Sequence, residues 1–349
     1  MNIIFNRIEE SFKEQMPFVA YRKPKSSAIS GFFMKDDDLN FTSEFTETGF
    51  VFAPFNSEEK AVLFLNENAE FINENILIEE DFSFTDNFED ATNSDKEKHI
   101  YLVEKALDEI NKNELKKVVV SRQEEVLLSE FDLLITFKKL LETYVNAFVY
   151  VWFHPKVGLW FGATPETLLT ISDDHFTTMS LAGTQVYVDS NKVFWKSKEL
   201  EEQQLVTDFI ENQLKPISSN LKIDKTETIK AGNILHLRSR VEGDLNKNSN
   251  LKELIRKLHP TPAVCGLPRE KSKSFISQNE SYKRTFYTGF LGEINFENKN
   301  TSLFVNLRCM NVVEKTASIY VGGGITKESN AKKEWEETIA KSKTMKKVL

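Results

Sequence analysis

Only two cysteines occur in this chain of 349 residues, which excludes a disulfide scaffold. Neither Cys265 nor Cys309 stands in a CxxC or related metal-binding pattern. Positive charge is also scarce, because 45 Lys and Arg face 53 Asp and Glu and leave a net charge of −8. A general nucleic-acid binder usually carries a basic excess, so the composition disfavours that class.

Long apolar runs are missing as well. The most apolar stretch, Tyr144 to Phe153, is interrupted by Asn146. It is about half as long as the ~20 residues that a membrane helix needs. The N-terminus carries Glu9, Glu10 and Glu14 where a secretion signal needs apolar residues. We therefore expect a cytoplasmic protein with neither a membrane nor a nucleic-acid partner.

Phenylalanine is abundant, with 28 residues, and predicts a core rich in large rings. Residues 1–95 alternate short Phe-rich runs with acidic loops, which predicts several short strands with exposed connections. The polar loop from Asp86 to Lys96 is the best candidate for a boundary. Further along the chain, predicted strands come in runs and outnumber helices. This pattern favours an α+β fold with large, mainly antiparallel sheets flanked by helices.

A helix predicted from Lys196 to Leu214 places Glu202 on its apolar side, beside Val206 and Phe209. A carboxylate that points inward needs a cation, a metal ion or a proton. By spacing alone, a rim glutamate or a buried salt bridge is the commoner explanation, and a metal ligand is the alternative.

The helix that closes the chain from Ala331 shows a related pattern. Glu337 and Lys341 are four residues apart, which by itself usually means an exposed ion pair, and Glu334 lies one turn before Glu337. Two carboxylates from this helix and one from Glu202 would suit an oxygen-preferring cation such as Mg²⁺.

Four further positions could carry chemistry. Lys117 heads an apolar strand and is either a strand-edge lysine or a desolvated base. Glu166 follows a strand at a turn, where an acid can face a cleft. His236 lies within a strand pattern, where a packed core histidine is the commoner case. The run from Gly322 to Gly324 lets backbone N–H groups approach a carboxylate, although a tight turn after a strand is commoner.

From Lys117 to the C-terminus, ordered segments of the chain resemble the chorismate-utilising enzymes, which include isochorismate, salicylate, anthranilate and aminodeoxychorismate synthases. The resemblance implies one catalytic domain over 1–349 with the fold of aminodeoxychorismate synthase, in which 1–95 is the variable N-terminal part and 96–349 the family core. The matching segments are KVVVSR (117–122), FGATPETLL (161–169), SLAGT (180–184), KELEEQQLV (198–206), ILHLRSRVEG (234–243), LHPTPAVCGLP (258–268), YTGFLGEI (287–294), VNLRCM (305–310), YVGGGI (320–325) and EWEETIAKSKTM (334–345).

Two positions narrow the reaction within this family. Ala182 stands where aminodeoxychorismate synthases place a nucleophilic lysine, and Lys117 is present as in the water-using members. The LHPTPAVCGLP segment is also similar to that of isochorismate synthases, and no glutaminase domain supplies ammonia. The resemblance therefore implies a Mg²⁺-dependent isomerase that converts chorismate to isochorismate by attack of water at C2 and loss of the C4 hydroxyl.

The resemblance also assigns roles. Glu202 and Glu337 hold Mg²⁺, and Glu334 lies near the ion or binds it through water. Lys117 takes a proton from the attacking water, Glu166 protonates the departing hydroxyl, and His236 is an active-site histidine. The implied substrate-binding residues, several of them at the enolpyruvyl carboxylate, are Gly183, Thr184, Ala263, Arg308, Gly323, Gly324 and Lys341.

Several alternatives stay open at this stage. A shift of one residue would make Glu201 the ligand in place of Glu202, and Gln185 follows SLAGT where the family often has arginine. A salicylate synthase shares nearly all these residues, with differences around Ala263 and Val264 deciding the product. An inactive binding relative is the third possibility. The sequence leaves open whether the product feeds menaquinone or siderophore synthesis, and we expect a monomer without a glutaminase subunit.

Overall fold

The computed structural model describes residues 2–76, 82, 84, 91–187, 193–231 and 234–349. The helices within these residues are α1 (Ile3–Lys13), α2 (Asn93–Asn111), α3 (Leu133–Thr143), α4 (Ser197–Leu214), α5 (Leu251–Leu258), α6 (Arg269–Asn279), the short α7 (Phe296–Lys299) and α8 (Ala331–Lys346). The strands are β1 (Phe18–Arg22), β2 (Ala28–Met34), β3 (Asn40–Thr42), β4 (Gly49–Ala53), β5 (Ala61–Leu65), β6 (Ala69–Asn75), β7 (Lys117–Leu127), β8 (Phe148–His154), β9 (Gly158–Thr164), β10 (Thr167–Ser172), β11 (His175–Val186), β12 (Ser218–Ile223), β13 (Glu227–Ala231), β14 (Ile234–Leu245), β15 (Gly266–Leu267), β16 (Phe290–Asn295), β17 (Asn300–Val305), β18 (Cys309–Val313) and β19 (Thr316–Ile325).

Two large sheets organise the described strands. The first sheet has the order β15-β7-β19-β18-β9-β8-β1-β2-β6, and the second has the order β12-β14-β11-β10-β17-β16-β4-β5-β3, with β13 added to β14. Neighbours are antiparallel, as in the pairing of β7 with β19 that sets Val119 opposite Gly324. The prediction of an α+β fold with large antiparallel sheets is confirmed.

An aromatic layer joins the facing sides of the two sheets. Phe148 of the first sheet stacks on Phe304 of the second at 4.1 Å between ring centroids. Phe52 stacks on Phe286 at 4.2 Å. The outer face of the first sheet packs under α1 and α3, and that of the second packs under α4 and α5. The abundant phenylalanines thus build much of the core, as predicted.

The first 76 residues contribute strands to both sheets. Strands β1, β2 and β6 extend the first sheet beside β8, and β3, β4 and β5 extend the second beside β16. The predicted short strands are therefore present. Residues 86–90 of the predicted boundary lie outside the described residues, and Asn93–Lys96 already belong to the first turn of α2. In the described part of the chain, no helix is long and apolar enough to cross a membrane.

Candidate active site

One cavity collects most of the predicted site residues. It lies where β7 and β19 of the first sheet approach β11 and β14 of the second, with α4 and α8 beside it. The predicted residues that line it are Glu166, Thr184, Glu202, His236, Ala263, Arg308, Gly323, Gly324, Glu337 and Lys341.

Lys117 lies behind this lining and is completely buried. Its Nζ lies 2.9 Å from Glu202 Oε1, yet among the described residues it makes no hydrogen bond of normal geometry. Glu201 is exposed, so Glu202 is the residue of this pair that reaches the site. A Cβ atom at Gly324 would overlap Glu202 Oε1. Glycine is therefore required for the close approach of α4 to β19.

The two glutamates of α8 lie beside the same glycines. Glu334 is buried; its Oε1 accepts a hydrogen bond from Lys198 Nζ at 2.5 Å, whereas its Oε2 has no partner among the described residues. Glu337 Oε1 pairs with Lys341 Nζ at 2.6 Å. A Cβ atom at Gly323 would lie 3.3 Å from Glu334 Oε2 and 3.9 Å from Glu337 Oε1. The three predicted ligands thus converge on the backbone of two adjacent residues.

The charges of these carboxylates are only partly balanced. Burial and the neighbouring Glu337 raise the pKa of Glu334. Burial alone would also raise the pKa of Glu202, but the ammonium groups of Lys117, Lys198 and Lys341 outweigh it and lower that pKa. Within the described ranges, no three acidic, histidine or cysteine side chains are already arranged to hold a metal ion. The all-carboxylate donor set and the unpartnered Glu334 oxygen nevertheless fit Mg²⁺, once lysines give up their contacts.

Glu166 places a buried carboxyl group in the cavity. It follows β9 and is buried, and its backbone carbonyl accepts a hydrogen bond from Val305 N at 3.0 Å. Burial raises the pKa of its carboxyl to about 8, although the charges of Lys117 and Lys341 oppose this shift. The group is therefore largely protonated near neutral pH, as a general acid must be.

Arg308 and Lys341 form a cationic wall. Arg308 Nη1 donates to Thr344 Oγ1 at 3.1 Å, and Tyr144 Oη donates to the carbonyl of Thr344 at 2.8 Å, so α8 holds the guanidinium in place. Lys341 Nζ also donates to the carbonyl of Gly322 at 2.9 Å. Two cations without a full set of carboxylate partners suit an anionic ligand.

His236 faces these cations from β14. Its Nδ1 lies 3.3 Å from Thr184 Oγ1, and its Nε2 has no partner among the described residues although it is buried. Burial, with the charges of Arg308 and Lys341, lowers its pKa well below the usual value. The imidazole is therefore neutral and can accept or donate a hydrogen bond through Nε2.

Three predicted residues do not line the cavity. Lys117 and Glu334 lie beside residues that do, as described above. Gly183 has a φ of +54°, and a Cβ there would lie 2.9 Å from the carbonyl of Glu199. This glycine therefore allows the irregularity in β11 at this point and the close packing of β11 against α4. Eight lining residues had no predicted role: Val119, Pro165, Leu181, Tyr287, Thr288, Leu307, Tyr320 and Val321. Their only signal was membership of the quoted segments KVVVSR, FGATPETLL, SLAGT, YTGFLGEI, VNLRCM and YVGGGI.

Comparison with known proteins decides the family. A family model described as chorismate binding enzyme matches residues 47–349. The chain belongs to this family. The match begins well before residue 96, where the sequence analysis placed the start of the family core.

Relatives of this chain include two proteins named isochorismate synthases. It is 30% identical to EntC of Escherichia coli K12 over 197 residues, which are 54% of this chain and 50% of EntC. It is 31% identical to MenF of Bacillus subtilis over 271 residues, which are 73% of this chain and 56% of MenF. The matches thus span about half the length of these relatives.

Solved structures share the fold. The DhbC protein of Bacillus anthracis superposes with a TM-score of 0.82 at 24% identity, covering 97% of this chain and 98% of that one. MenF of Escherichia coli superposes with a TM-score of 0.78 at 18% identity, covering 95% of this chain and 88% of that one. Both confirm the predicted chorismate-utilising fold.

Proposed function

We propose that this chain is an isochorismate synthase that isomerises chorismate to isochorismate with Mg²⁺. One observation carries the proposal. Among the described residues, one cavity is served by a buried amine without a well-aligned hydrogen bond and by a buried carboxyl with its pKa raised to about 8. The first is Lys117 and the second is Glu166. The names of the relatives EntC and MenF support the same reaction.

Lys117 is the proposed base and Glu166 the proposed acid. Lys117, once its ammonium group has given up a proton, takes a proton from water, and the resulting hydroxyl bonds to C2 of chorismate. The ring double bond shifts, the C4–O bond breaks, and the Glu166 carboxyl gives its proton to the departing hydroxyl, which leaves as water. Atoms and charge balance, because one water enters and one leaves. Such paired groups typically contribute ~10²–10⁴-fold each.

The metal site rests on Glu202, Glu334 and Glu337. When bound there, Mg²⁺ would neutralise a substrate carboxylate and orient the ring. The protein itself holds the three carboxylates against the backbone of Gly323 and Gly324. These two residues have no side chain that would keep the carboxylates away.

The second carboxylate of the substrate is proposed to bind Arg308 and Lys341. The fork of an arginine matches a carboxylate, and Thr344 fixes its direction through the 3.1 Å hydrogen bond. The remaining proposed contacts are neutral ones from Thr184, Ala263 and His236, with Gly183 shaping the strand that carries Thr184. Because Ala182 also lines the cavity, no lysine stands there to act as a nucleophile.

The wider context is proposed from the sequence. A single catalytic domain is supported by the strands that the first 76 residues add to both sheets. The acidic composition and the two unpaired cysteines support a cytoplasmic enzyme. A monomer without a glutaminase subunit stays a prediction.

Product analysis tests the proposal. Purified protein is incubated with chorismate and MgCl₂, with EDTA in a matched sample, and the products are separated by chromatography. We expect isochorismate in the magnesium sample alone. Salicylate and pyruvate as main products would replace the proposal by a salicylate synthase, and unchanged chorismate would indicate an inactive binding relative.

A further inference from the structure

A second buried charged cluster adjoins the site without lining it. Glu280, at the C-terminal end of α6, and Arg284 have side chains that are 1% and 2% exposed. Arg284 Nη2 donates to Glu280 Oε1 at 2.5 Å and Nε donates to Oε2 at 2.8 Å. The guanidinium also lies 4.7 Å from the centroid of the Phe55 ring. This geometry is bidentate and rigid.

The remaining donors of Arg284 all reach cavity-lining residues. Nη2 donates to the carbonyl of Val119 at 2.7 Å, and Nη1 donates to the carbonyl of Val264 at 2.9 Å and lies 3.3 Å from Thr288 Oγ1. One guanidinium thus ties together three walls of the cavity. They are strand β7, the loop before β15, and the segment that follows Tyr287.

The cluster also completes the edge of β7. Strand β15 pairs with β7 at Lys117 and Val118, and Cys265 just before β15 accepts a hydrogen bond from Val119 N at 2.8 Å. Beyond that point the backbone N–H of Ser121 donates to Glu280 Oε1 at 2.8 Å, and the carbonyl of Val119 accepts from Arg284. A carboxylate and a guanidinium therefore take the place of a neighbouring strand, because they supply the acceptor and the donor that a backbone would.

We infer that Glu280 and Arg284 are positioning residues that hold Lys117 and the Val264 wall in register for the reaction. Lys117 precedes Val119 by two residues, so both side chains are on the same face of β7, and a shift at the Val119 carbonyl moves the amine. The inference rests on the proposed isochorismate synthase activity. Displacement of a reacting group by about 1 Å can cost ~100-fold in rate.

Arg284→Lys tests the inference, because lysine keeps the charge but cannot reach carboxylate and carbonyls in one plane. We expect kcat to fall ~10- to 100-fold, KM for chorismate to change less than ~3-fold, and half-saturating Mg²⁺ to stay the same. Amide hydrogen exchange in the peptide 117–125 should become faster. The control is Lys271→Met on α6, the helix whose C-cap is Glu280; it removes only the exposed pair with Glu114 and should change none of these values.

The outcomes separate the possible failures. Faster exchange with an unchanged kcat would reduce the pair to a structural role and overturn the inference, as would no change in either. Should Arg284→Lys fail to fold, Glu280→Asp, which withdraws the carboxylate by one methylene, is judged by the same criteria. A wild-type protein that does not turn over chorismate would instead overturn the proposed function.

Discussion

Two buried charged clusters lie along β7, and they differ in how completely their polar atoms are satisfied. In the cluster of Glu280 and Arg284, both carboxylate oxygens and every guanidinium nitrogen have hydrogen-bond partners. In the proposed active site, His236 Nε2 and Glu334 Oε2 are buried without one among the described residues, and Lys117 Nζ has an ion pair with Glu202 but no well-aligned hydrogen bond there. A buried polar group without a partner costs about 1–3 kcal/mol.

This difference matches a supporting role for the cluster of Glu280 and Arg284 and a chemical role for the proposed active site. A fully satisfied cluster gives a rigid wall, whereas unsatisfied groups remain available to substrate, water or a metal ion. Sites that do chemistry commonly give up stability in this way. Substitutions in the two clusters should therefore differ in their effects on activity, on the free energy of unfolding and on Mg²⁺ dependence.

The largest effect is expected at Lys117. Lys117→Met keeps the volume and removes the proposed base, so kcat should fall ~10²–10⁴-fold. Chorismate consumption measures the rate, and isothermal titration calorimetry should still detect binding of chorismate in the presence of Mg²⁺. Activity near that of the wild type would remove Lys117 from the mechanism.

Glutamate-to-glutamine changes in the two clusters should differ in stability. Glu280→Gln leaves the buried charge of Arg284 without its partner, and we expect it to lower the free energy of unfolding by about 3 kcal/mol or more. Glu334→Gln removes repulsion from Glu337 as well as the pair with Lys198, so the change should stay under about 1 kcal/mol. Urea unfolding without metal measures both, and equal losses would break the comparison.

Metal affinity should depend on the site cluster alone. Glu202→Gln removes one of three proposed carboxylate ligands, so the Mg²⁺ concentration for half-maximal activity should rise on the order of 10-fold or more. Calorimetric titration with MgCl₂ gives a second readout that needs no turnover. An unchanged Mg²⁺ dependence would exclude Glu202 as a ligand.

The smallest effect near neutrality concerns the pH dependence. Because Glu166 must be protonated to act and its pKa is raised to about 8, the ratio of wild-type kcat to Glu166→Gln kcat should be constant below that pH and fall as the pH rises through it. The ratio isolates Glu166, because the proposed base is the same in both proteins. Well above pH 8 the fall should approach 10-fold per unit. A ratio that stays constant up to pH 10 would contradict the assignment.

Local patterns were sufficient to predict the elements that carry the site. The helix expected from Lys196 to Leu214 is α4, and that expected from Ala331 is α8. Helix α5 (Leu251–Leu258) likewise ends just before the prolines at 260 and 262. These elements combine clear helical periodicity with capping or terminating residues, which act within the local chain.

Other elements were not predicted because their sequences lack a clear pattern of apolar residues. Helix α6 buries only Ser272 and Ile276, and its polar sequence resembles a loop. The pair Glu280 and Arg284 has the spacing of an ordinary exposed ion pair. It is buried because β7 and Phe55 pack against it. Helix α1 was not predicted, because its glutamates were used only to exclude a secretion signal.

The sequence by itself determined the fold class, the family resemblance and the identity of the chemical groups, because these depend on residue types and their order. Only the tertiary structure decided which groups meet. It set Lys117 against Glu202 rather than Glu201, left one oxygen of Glu334 without a partner among the described residues, and raised the pKa of Glu166. The physical reason is burial. Loss of solvent and the approach of charges distant in sequence set the pKa values and the pairing of these side chains, and local sequence spacing predicts neither.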